Sequence, residues 1–577
     1  MQTKNRHIFK SLLIITCLFI VAIPYARANT NVPGLAAAYL SALHAQYISD
    51  PLAASKFLDS ALQIDPENPK ILYWAFLQKA QAGSINSSAT HATQILKKNP
   101  DIALANLLLA ISNYKKGEFQ NARRLINSIP DRSPIGVALP LVRAWANAPV
   151  AKIEETLQAL SPYNGYKDWA VLSKLMSGMI KEYYGEHESA LKTYESIAGQ
   201  PNTLTISTVR VLAEGFIRLN HVNNAQSLIK NFSTSSHQYS LLKEYLENIG
   251  RPVKERSELT AQKGMAEALY TATQLSLIKP RKPSNIQLPL IFGNLALHLN
   301  PDLNSLTRQI ASNIGSHGHY KIANKMLQKI NKKDPNYTLA QIMLADHLDL
   351  QGDTEEAIRI LKKIVRNKPK SPEPLIKMAD ILRKNEQYDT AIEYYDQAFD
   401  KYPNQQPKAW YLFYSRGMAL ERAKEWRRAE SDFTRALEIE PEQPEVLNYL
   451  AYCWLERGER IIEARNLINI ALSKNPNNGY IIDSLGWAMF IMGDYKDAVR
   501  QLERAVTIAP SDPTINDHLG DAYWQVGRRT EAQFQWRRTL TMNPEPEIVD
   551  NIQAKLENGF NKLKYKQRSN NLQRLIK

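Results

Sequence analysis

Two consecutive stretches near the end of the chain are copies of one pattern. Residues 477–510 read NNGYIIDSLGWAMFIMGDYKDAVRQLERAVTIAP, and residues 511–544 read SDPTINDHLGDAYWQVGRRTEAQFQWRRTLTMNP. Both are 34 residues long and align without a gap. The residues they share include two glycines, an alanine and the closing proline: Gly486 and Gly520, Gly493 and Gly527, Ala498 and Ala532, Pro510 and Pro544. A fixed period of this length predicts stacked copies of one structural unit.

The closing proline recurs along the chain with nearly the same step. The 34-residue interval relates these prolines: Pro66 to Pro100, Pro301 to Pro335, Pro335 to Pro369, Pro369 to Pro403, and Pro476 to Pro510 to Pro544. The interval is 38 residues between Pro403 and Pro441 and 35 between Pro441 and Pro476. This period, with a proline at its end, is typical of the tetratricopeptide (TPR) repeat, which is a helix–turn–helix unit.

Small residues hold fixed places within each repeat when the closing proline is numbered 32. Position 8 is small at Ala311, Ala345, Ala379, Gly417, Ala451, Gly486 and Gly520. Position 20 is alanine at Ala323, Ala357, Ala391, Ala429, Ala498 and Ala532, and Ala464 lies one place later in its longer repeat. Two helices can cross closely only where such side chains are small. Position 15 is often glycine, which suits a helix end with positive φ: Gly318, Gly352, Gly458, Gly493 and Gly527.

The pattern predicts an all-α fold, a superhelical TPR solenoid of helix–turn–helix repeats in two halves. The repeats are weaker upstream, where Gly83 and Gly117 mark turns. We expect a signal peptide, an N-terminal TPR-like solenoid, a degenerate helical connector, a C-terminal TPR solenoid, and a capping helix with a basic tail. Their predicted bounds are, in that order, 1–28, 29–250, 251–303, 304–546 and 547–577.

The N-terminus has the features of an export signal. Lys4, Arg6 and Lys10 are followed by the apolar run 11–23 and by the small-residue motif 26–28. The apolar run is short for a membrane span, so we expect cleavage after Ala28 and a periplasmic or envelope-associated mature chain. The alternative is a leader that is kept as an anchor.

The chain is basic, with a net charge of +15, and part of the surplus lies in the tail from Asn561 to Lys577. This tail is either a solvated end or a peripheral contact with anionic membrane. The export signal, and the lack of a nucleic-acid-binding module, argue against nucleic acid as a partner.

The repeat register predicts which side chains face a binding groove. In TPR arrays these are mainly positions 2, 5, 9, 12 and 13 of the first helix of each repeat. In the C-terminal repeats the predicted groove residues are Tyr411, Tyr414, Arg422, Asn448, Tyr452, Tyr480, Asp483, Trp487, Phe490, Asp517, Asp521 and Trp524. Rings interleaved with carboxylates suit an extended or helical peptide. The alternative is that some of these rings pack between neighbouring helices.

Other site patterns are missing from the sequence. Repeats that clamp a free carboxylate carry lysine at position 5 and asparagine at position 9, but Asp517 and Asp521 hold those places in the last repeat. The ligand should therefore be neutral to basic there. The sequence has no phosphate-binding glycine loop, no Cys-x-x-Cys pair and no His-Glu-x-x-His helix. We expect no catalytic residues, no metal and no cofactor, and we expect Cys453 to be a buried free thiol.

Three C-terminal runs closely resemble a family of exported proteobacterial TPR proteins. They are NYLAY at 448–452, YIIDSLGW at 480–487 and NDHLGDAYW at 516–524. Relatives of this organisation include the outer-membrane TPR lipoprotein that serves as adaptor for a carboxy-terminal processing protease and gathers cell-wall hydrolase substrates. The resemblance implies a scaffold in envelope proteolysis or peptidoglycan remodelling. The sequence departs from that relative because Cys17 lacks a convincing lipobox.

Two functions follow as hypotheses. The first is a non-enzymatic adaptor that binds partner proteins or peptides, among them a periplasmic processing protease and peptidoglycan hydrolases. The second is a membrane-tethered assembly factor for envelope polysaccharide or lipoprotein export.

Overall fold

The computed structural model describes residues 34–163, 167–200, 204–235, 258–278, 288–402 and 409–560. Within these ranges the regular structure is helical, with 29 α-helices, two short 3-10 helices and no strand. The predicted all-α solenoid is thereby confirmed. The leader 1–28, parts of the predicted connector and the basic tail 561–577 lie outside the described residues.

The chain divides into two compact units. Unit 1 extends to Ala340, and unit 2 continues from Gln341. The helices of unit 1 are α1 (Leu35–Tyr47), α2 (Pro51–Ile64), α3 (Pro69–Gln81), α4 (Ile85–Lys98), α5 (Ala103–Lys115), α6 (Phe119–Asn127), α7 (Leu139–Asn147), α8 (Ile153–Gln158), α9 (Lys167–Tyr183), α10 (His187–Ala198), α11 (Ile206–Arg218), α12 (Val222–Ser235), α13 (Ala261–Ile278), α14 (Leu288–Leu299), α15 (Asn304–Ser316) and α16 (Tyr320–Gln328), with 3-10 helices at Gly136–Ala138 and Ser161–Tyr163.

Unit 2 consists of regular helix pairs followed by one last helix. The division between the units falls within α17 (Tyr337–Leu350). The helices that follow are α18 (Thr354–Asn367), α19 (Glu373–Lys384), α20 (Tyr388–Phe399), α21 (Trp410–Arg422), α22 (Trp426–Ile439), α23 (Pro444–Arg457), α24 (Ile461–Lys474), α25 (Gly479–Met492), α26 (Tyr495–Ile508), α27 (Pro513–Gln525), α28 (Arg529–Leu540) and α29 (Pro546–Asn558).

The turn between the two helices of a repeat contains a residue in the left-handed region. All the glycines predicted at position 15 have positive φ, between 69° and 92°. Where the sequence lacks glycine, Glu386 and Lys424 adopt the same conformation, with φ of 60° and 67°. A side chain other than glycine pays a steric cost there, so the packing of the helix pair must impose the turn.

The predicted helix crossings are confirmed. The alanines at position 20 are fully buried, including Ala498 and Ala532. A Cβ atom added at Gly486 would lie 2.7 Å from Leu502 Cγ, and one added at Gly520 would lie 2.5 Å from Trp536 Cδ1. In these two repeats the first helix can therefore approach the second only without a side chain at position 8.

The start of a repeat has its own local signals. In α27 the Asp512 carboxylate accepts a hydrogen bond of 3.0 Å from the backbone N–H of Ile515, and Pro513 occupies the first turn. In α25 the Asn478 side chain accepts from the N–H groups of Tyr480 and Ile481. These caps satisfy donors that have no partner within the helix.

The predicted domain bounds at 250 and 303 do not coincide with the division at Ala340. Instead, α13 and α14, which lie in the segment predicted as a connector, contribute to the buried core of unit 1. None of the described helices has both the length and the apolar character needed to cross a membrane.

Candidate interaction surface

We call the positions that the repeat register predicts to face the groove the inner positions. In unit 1, inner positions of the first helices contact the hairpin formed by α13 and α14. The Asn294 side chain of α14 donates hydrogen bonds to the backbone carbonyls of Ala80 (3.1 Å) and Gln81 (2.8 Å) at the end of α3. Gln262 of α13 donates to the carbonyl of Lys115 at 3.0 Å. The acceptors Gln81 and Lys115 both hold position 13 of their repeats. The hairpin therefore lies where the repeat register predicts a groove.

Close packing also connects α13 of the hairpin to α7 and α5. A Cβ atom added at Gly264 would lie only 2.1 Å from Cζ3 of Trp145, which is fully buried. The Tyr114 hydroxyl donates to the Trp145 carbonyl at 2.6 Å and lies 3.4 Å from the Ala261 carbonyl. The lack of a side chain at Gly264 thus allows α13 to lie directly on α7.

A buried ion pair completes this contact. Arg210, at position 5 of α11, places Nη2 at 2.6 Å from Glu267 Oε2 on α13, and both side chains are almost fully buried. Glu214 lies 3.2 Å from the other terminal nitrogen of Arg210. The Arg210 guanidinium also lies 5.4 Å from the centre of the Tyr270 ring. The hairpin therefore contacts position 5 of α11 and positions 12 and 13 of α3 and α5.

In unit 2 the predicted groove residues differ in accessibility. Tyr411 and Tyr480 are 42% and 59% exposed, and Arg422 is also exposed. Four are half-buried: Tyr414, Asn448, Tyr452 and Trp524. Five are buried: Asp483, Trp487, Phe490, Asp517 and Asp521.

Two of the buried residues surround a buried imidazole. His518 Nδ1 lies 3.0 and 3.1 Å from the two carboxylate oxygens of Asp483. The Trp487 ring stacks on the His518 ring with centroids 4.0 Å apart, and its Nε1 donates to Glu456 at 2.7 Å. Burial alone would lower the pKa of His518, but the charge and hydrogen bond of Asp483 prevail and raise the pKa to about 9. At neutral pH this histidine is therefore a cation held within the repeat stack.

The C-terminal segment 545–560 covers further predicted groove residues. Lys555 Nζ lies 2.8 Å from Asp517 Oδ1 and 2.8 Å from Asp521 Oδ2, and all three side chains are buried. Burial raises the pKa of Asp521, and the ammonium of Lys555 opposes that rise. Trp536 Nε1 donates to Asp521 as well, at 3.0 Å. These carboxylates thus have partners within the chain.

Other contacts of the same segment reach α21, α25 and α27. The Phe560 ring packs edge-on against Phe490 with centroids 5.8 Å apart, and a Cβ atom added at Gly559 would lie 2.6 Å from Trp524. Glu545 lies 3.4 Å from Arg422. Segment 545–560 therefore contacts first-helix positions that the register predicts to face the groove.

A cluster of rings in the middle repeats has one exposed member, Tyr411, and three half-buried members. We call Trp410, Tyr411, Tyr414 and Tyr449 the aromatic patch. Its ring centroids lie 6.4 Å apart for Trp410 and Tyr411, 6.2 Å for Trp410 and Tyr414, and 5.8 Å for Tyr414 and Tyr449. The structure thus brings together Tyr411 and Tyr414, and adds Trp410 and Tyr449, which sequence reasoning missed. The Trp410-Tyr411 pair at the start of a first helix was the available signal.

Carboxylates surround the aromatic patch. Burial raises the pKa of Tyr411, and the charges of Glu373 and Asp380 raise it further. Burial and the charge of Glu445 raise the pKa of Tyr414 to about 12. The Tyr449 hydroxyl donates to Glu421 at 3.2 Å. The patch therefore combines apolar rings with nearby carboxylates, of which Asp380 lies 3.8 Å from Arg383.

Metal-ligand geometry is not found in the part of the chain that the structure describes. Within those ranges no three His, Cys, Asp or Glu residues group as a metal site. His317 donates to the Asn313 carbonyl at 2.8 Å, and His319 donates to the Ile48 carbonyl at 2.8 Å. Cys453 is a buried free thiol, as predicted, and burial raises its pKa.

Comparison with known protein families identifies the repeats. A family described as Tetratricopeptide repeat matches residues 77–134, 376–444 and 414–478. A second family with that description matches residues 316–381, and one described as TPR repeat matches residues 486–527. This chain is therefore a protein with tetratricopeptide repeats in those residues. Such proteins bind other proteins or peptides, and their fold supports an interaction scaffold.

Several known proteins are similar to parts of this TPR chain. It is 31% identical over 183 residues to a TPR repeat-containing protein of Pseudomonas aeruginosa, a match that covers 32% of this chain and 30% of the relative. It is 25% identical over 201 residues to the Vi polysaccharide export protein VexE of Salmonella typhi, covering 33% and 29%. The chain thus spans less than a third of the length of these relatives. A solved tetratricopeptide repeat protein from Parabacteroides merdae is 17% identical, covers 44% of this chain and 99% of its own, and has a TM-score of 0.37.

Proposed function

We propose that this chain is a non-enzymatic adaptor of the bacterial cell envelope, which binds partner proteins or peptides on the aromatic patch of unit 2 and the exposed ring of Tyr480. The observation that carries the proposal is that inner positions differ in whether another segment of the chain contacts them. Those of unit 1 contact the α13–α14 hairpin, and those of the last repeats contact segment 545–560. The middle repeats keep Tyr411 exposed among carboxylates.

The chemistry of the patch favours a neutral or basic segment of a partner. Tyrosine and tryptophan rings give a large contact area and lose little conformational entropy on binding. Glu373, Asp380 and Glu445 lie close enough to perturb the tyrosine pKa values. They would attract a lysine or arginine of the partner and repel a free carboxylate terminus.

The pathway is the finer part of the proposal. The resemblance of the C-terminal runs supports an adaptor that links a periplasmic processing protease to peptidoglycan hydrolases. The export signal at 1–28 that this pathway requires lies outside the described residues. Export is therefore proposed from the sequence alone.

The test is partner capture with and without the exposed rings. We would cross-link the chain in its own envelope and compare wild type with the double variant Tyr411→Ala/Tyr480→Ala. Both rings are substantially exposed, so the substitutions should leave the fold intact. The matched control is Phe534→Ala, because Phe534 is a ring that is 64% exposed on α28, the second helix of its repeat.

Recovery of a protease or wall hydrolase that is lost in the double variant, but kept in the Phe534→Ala control, would support the adaptor. Equal recovery from all three chains would exclude these rings as the binding surface. Thermal unfolding of each variant checks that a loss of capture is not a loss of structure.

The second candidate is a membrane-tethered assembly factor for envelope polysaccharide or lipoprotein export. The partial match to the Vi polysaccharide export protein favours it. Mass spectrometry of the chain from its own cells separates the two functions. A chain that begins at Asn29 would argue against the tether, whereas a retained leader together with capture of inner-membrane export components would favour it.

A further inference from the structure

Unit 1 contains a cavity of about 350 Å³ that the repeat register does not predict. Its walls are the turn between α1 and α2, the end of α3, helix α14 and the pair α15–α16. Hydrogen bonds connect these walls. His319 of the turn before α16 donates to the Ile48 carbonyl at 2.8 Å, and Asn294 bonds α14 to the end of α3. The cavity is therefore enclosed by elements that hold one another in place.

The larger part of the cavity wall is apolar. Its long aliphatic side chains come from α2, α14, α15 and α16: Leu52, Leu290, Leu297, Ile314, Ile322 and Met326. Binding sites for small ligands have volumes of about 300–1,000 Å³, and this cavity lies near the lower end of that range. One acyl chain can therefore enter it, whereas the two chains of a phospholipid would be too large.

The polar groups of the wall include a cation without a counter-ion in the described chain. Lys329 lines the cavity, and no described carboxylate pairs with its ammonium group. No described residue of the wall is itself an aspartate or a glutamate. Asp50 lies outside the wall, and its Oδ2 is 4.0 Å from Nδ1 of His319. A negatively charged group in the cavity would thus meet an unpaired lysine.

A histidine of the wall also lacks a partner. His298 is half-buried, and its ring makes no hydrogen bond to another described residue. Burial, together with the charge of Lys115, lowers the pKa of His298 from 6.5 to about 4. The imidazole is therefore neutral at pH 7, and one of its nitrogens carries a hydrogen that it can donate. The charge of a second lysine, Lys115, thus acts on the same wall.

We propose that this cavity binds an anionic amphiphile with a single acyl chain. The chain contacts the aliphatic wall, and the acid group pairs with Lys329 and accepts a hydrogen bond from His298. A peptide is a poorer match, because its backbone N–H and C=O groups would need partners within the cavity. The Asn294 amide, for example, already donates to the carbonyls of Ala80 and Gln81. This inference does not depend on the function proposed for unit 2.

The test is calorimetric titration of the whole chain, purified and freed of lipid, with dodecanoate below its micelle concentration. Dodecanoate should bind at one site, and dodecylammonium, which has the same chain and the opposite charge, should bind about 10-fold more weakly or less. Lys329→Glu should weaken dodecanoate binding by about 10-fold or more, because like charges would then meet. The matched control is Lys325→Glu, since Lys325 is an exposed lysine one turn earlier on α16 and lies outside the wall.

A second pair of variants tests the apolar part of the site. Leu52 lines the cavity and is 37% exposed, so Leu52→Trp should narrow the cavity without disturbing the buried core. We expect it to weaken dodecanoate binding by about 10-fold as well. Leu40→Trp is the control, because Leu40 is an exposed leucine of α1 outside the wall.

Each outcome decides the proposal. Saturable binding of dodecanoate that Lys329→Glu and Leu52→Trp weaken, and that both controls retain, supports it, provided that the helical circular dichroism is unchanged. Tighter binding of monoacyl phosphatidylglycerol would then identify a lipid headgroup as the source of the acid, and weaker binding a free fatty acid. The absence of saturable binding overturns the proposal, as do equal binding of dodecylammonium and equal losses in Lys329→Glu and Lys325→Glu. Binding of a short peptide with a free carboxyl terminus, without binding of dodecanoate, would assign the cavity to a protein partner instead.

Discussion

The first helices of the repeats present the same positions in both units, yet these positions have different neighbours. In unit 1 they contact the α13–α14 hairpin through backbone hydrogen bonds, close packing at Gly264 and the buried Arg210–Glu267 pair. In unit 2 segment 545–560 contacts mainly the last repeats, and Tyr411 stays exposed. The repeat register therefore identifies the inner positions, but segments outside the repeats determine which of these positions are accessible to a partner.

The largest expected effect concerns the cover over the last repeats of unit 2. Substituting Lys555→Met would leave Asp517 and Asp521 buried without their counter-ion. We expect a loss of about 3–5 kcal/mol in the free energy of unfolding, measured in urea. The control Lys496→Met changes an exposed lysine of α26 and should stay within about 0.5 kcal/mol of wild type. Similar losses in both variants would mean that segment 545–560 is not held by this charge cluster.

The next effect concerns the hairpin of unit 1. Gly264→Leu would drive a side chain into the buried Trp145 ring, and we expect a loss of about 3 kcal/mol. Hydrogen exchange should rise in α13 and α7 and remain unchanged in α27. In the control Gly199→Ala the new Cβ would have its nearest contact at 3.6 Å, so stability should hardly change. Equal exchange in α13 before and after the Gly264 substitution would contradict the packing described for unit 1.

The stability of unit 2 should depend on pH through His518. The pKa of His518 in the folded chain is raised to about 9, from 6.5 in the unfolded chain. The stabilisation that protonated His518 gives the fold is therefore fully present below pH 6.5 and is lost as pH rises through 9. The groups that face it with negative charge are Asp483, Glu456 and Asp517. We expect wild type to lose about 2–3 kcal/mol more than His518→Gln between about pH 6 and pH 10. Parallel stability curves for the two chains would refute a charged His518.

The repeat register of the fold could be read from the sequence because its determinants are local. The glycines at position 15 and the alanines at position 20 specify a turn and a helix crossing within one repeat. Where Glu386 replaces the glycine, the sequence no longer signals the left-handed turn, but the packed helix pair retains it.

The accessibility of the candidate site could not be read in this way. Asn294 bonds to Ala80 across 214 residues, and Lys555 bonds to Asp517 across 38, and no periodicity encodes either pairing. Trp487 and Asp483 hold predicted groove positions, yet they pack on His518 of the next repeat. Tyr411 and Tyr480 have the same register but lack such a cover, so their role in binding stays a prediction.

The smallest expected effect compares two tyrosines at inner positions. Tyr114→Phe in unit 1 removes the donor to the buried Trp145 carbonyl, so we expect a loss of about 1 kcal/mol in the free energy of unfolding. Tyr411→Phe in unit 2 removes a hydroxyl from a ring that is 42% exposed and should cost less than about 0.5 kcal/mol. Urea unfolding of both variants measures the difference directly. If Tyr411→Phe cost as much as Tyr114→Phe, Tyr411 would be a structural residue of unit 2. The distinction between covered inner positions in unit 1 and an accessible inner position in unit 2 would then be wrong for Tyr411, the residue on which it most depends.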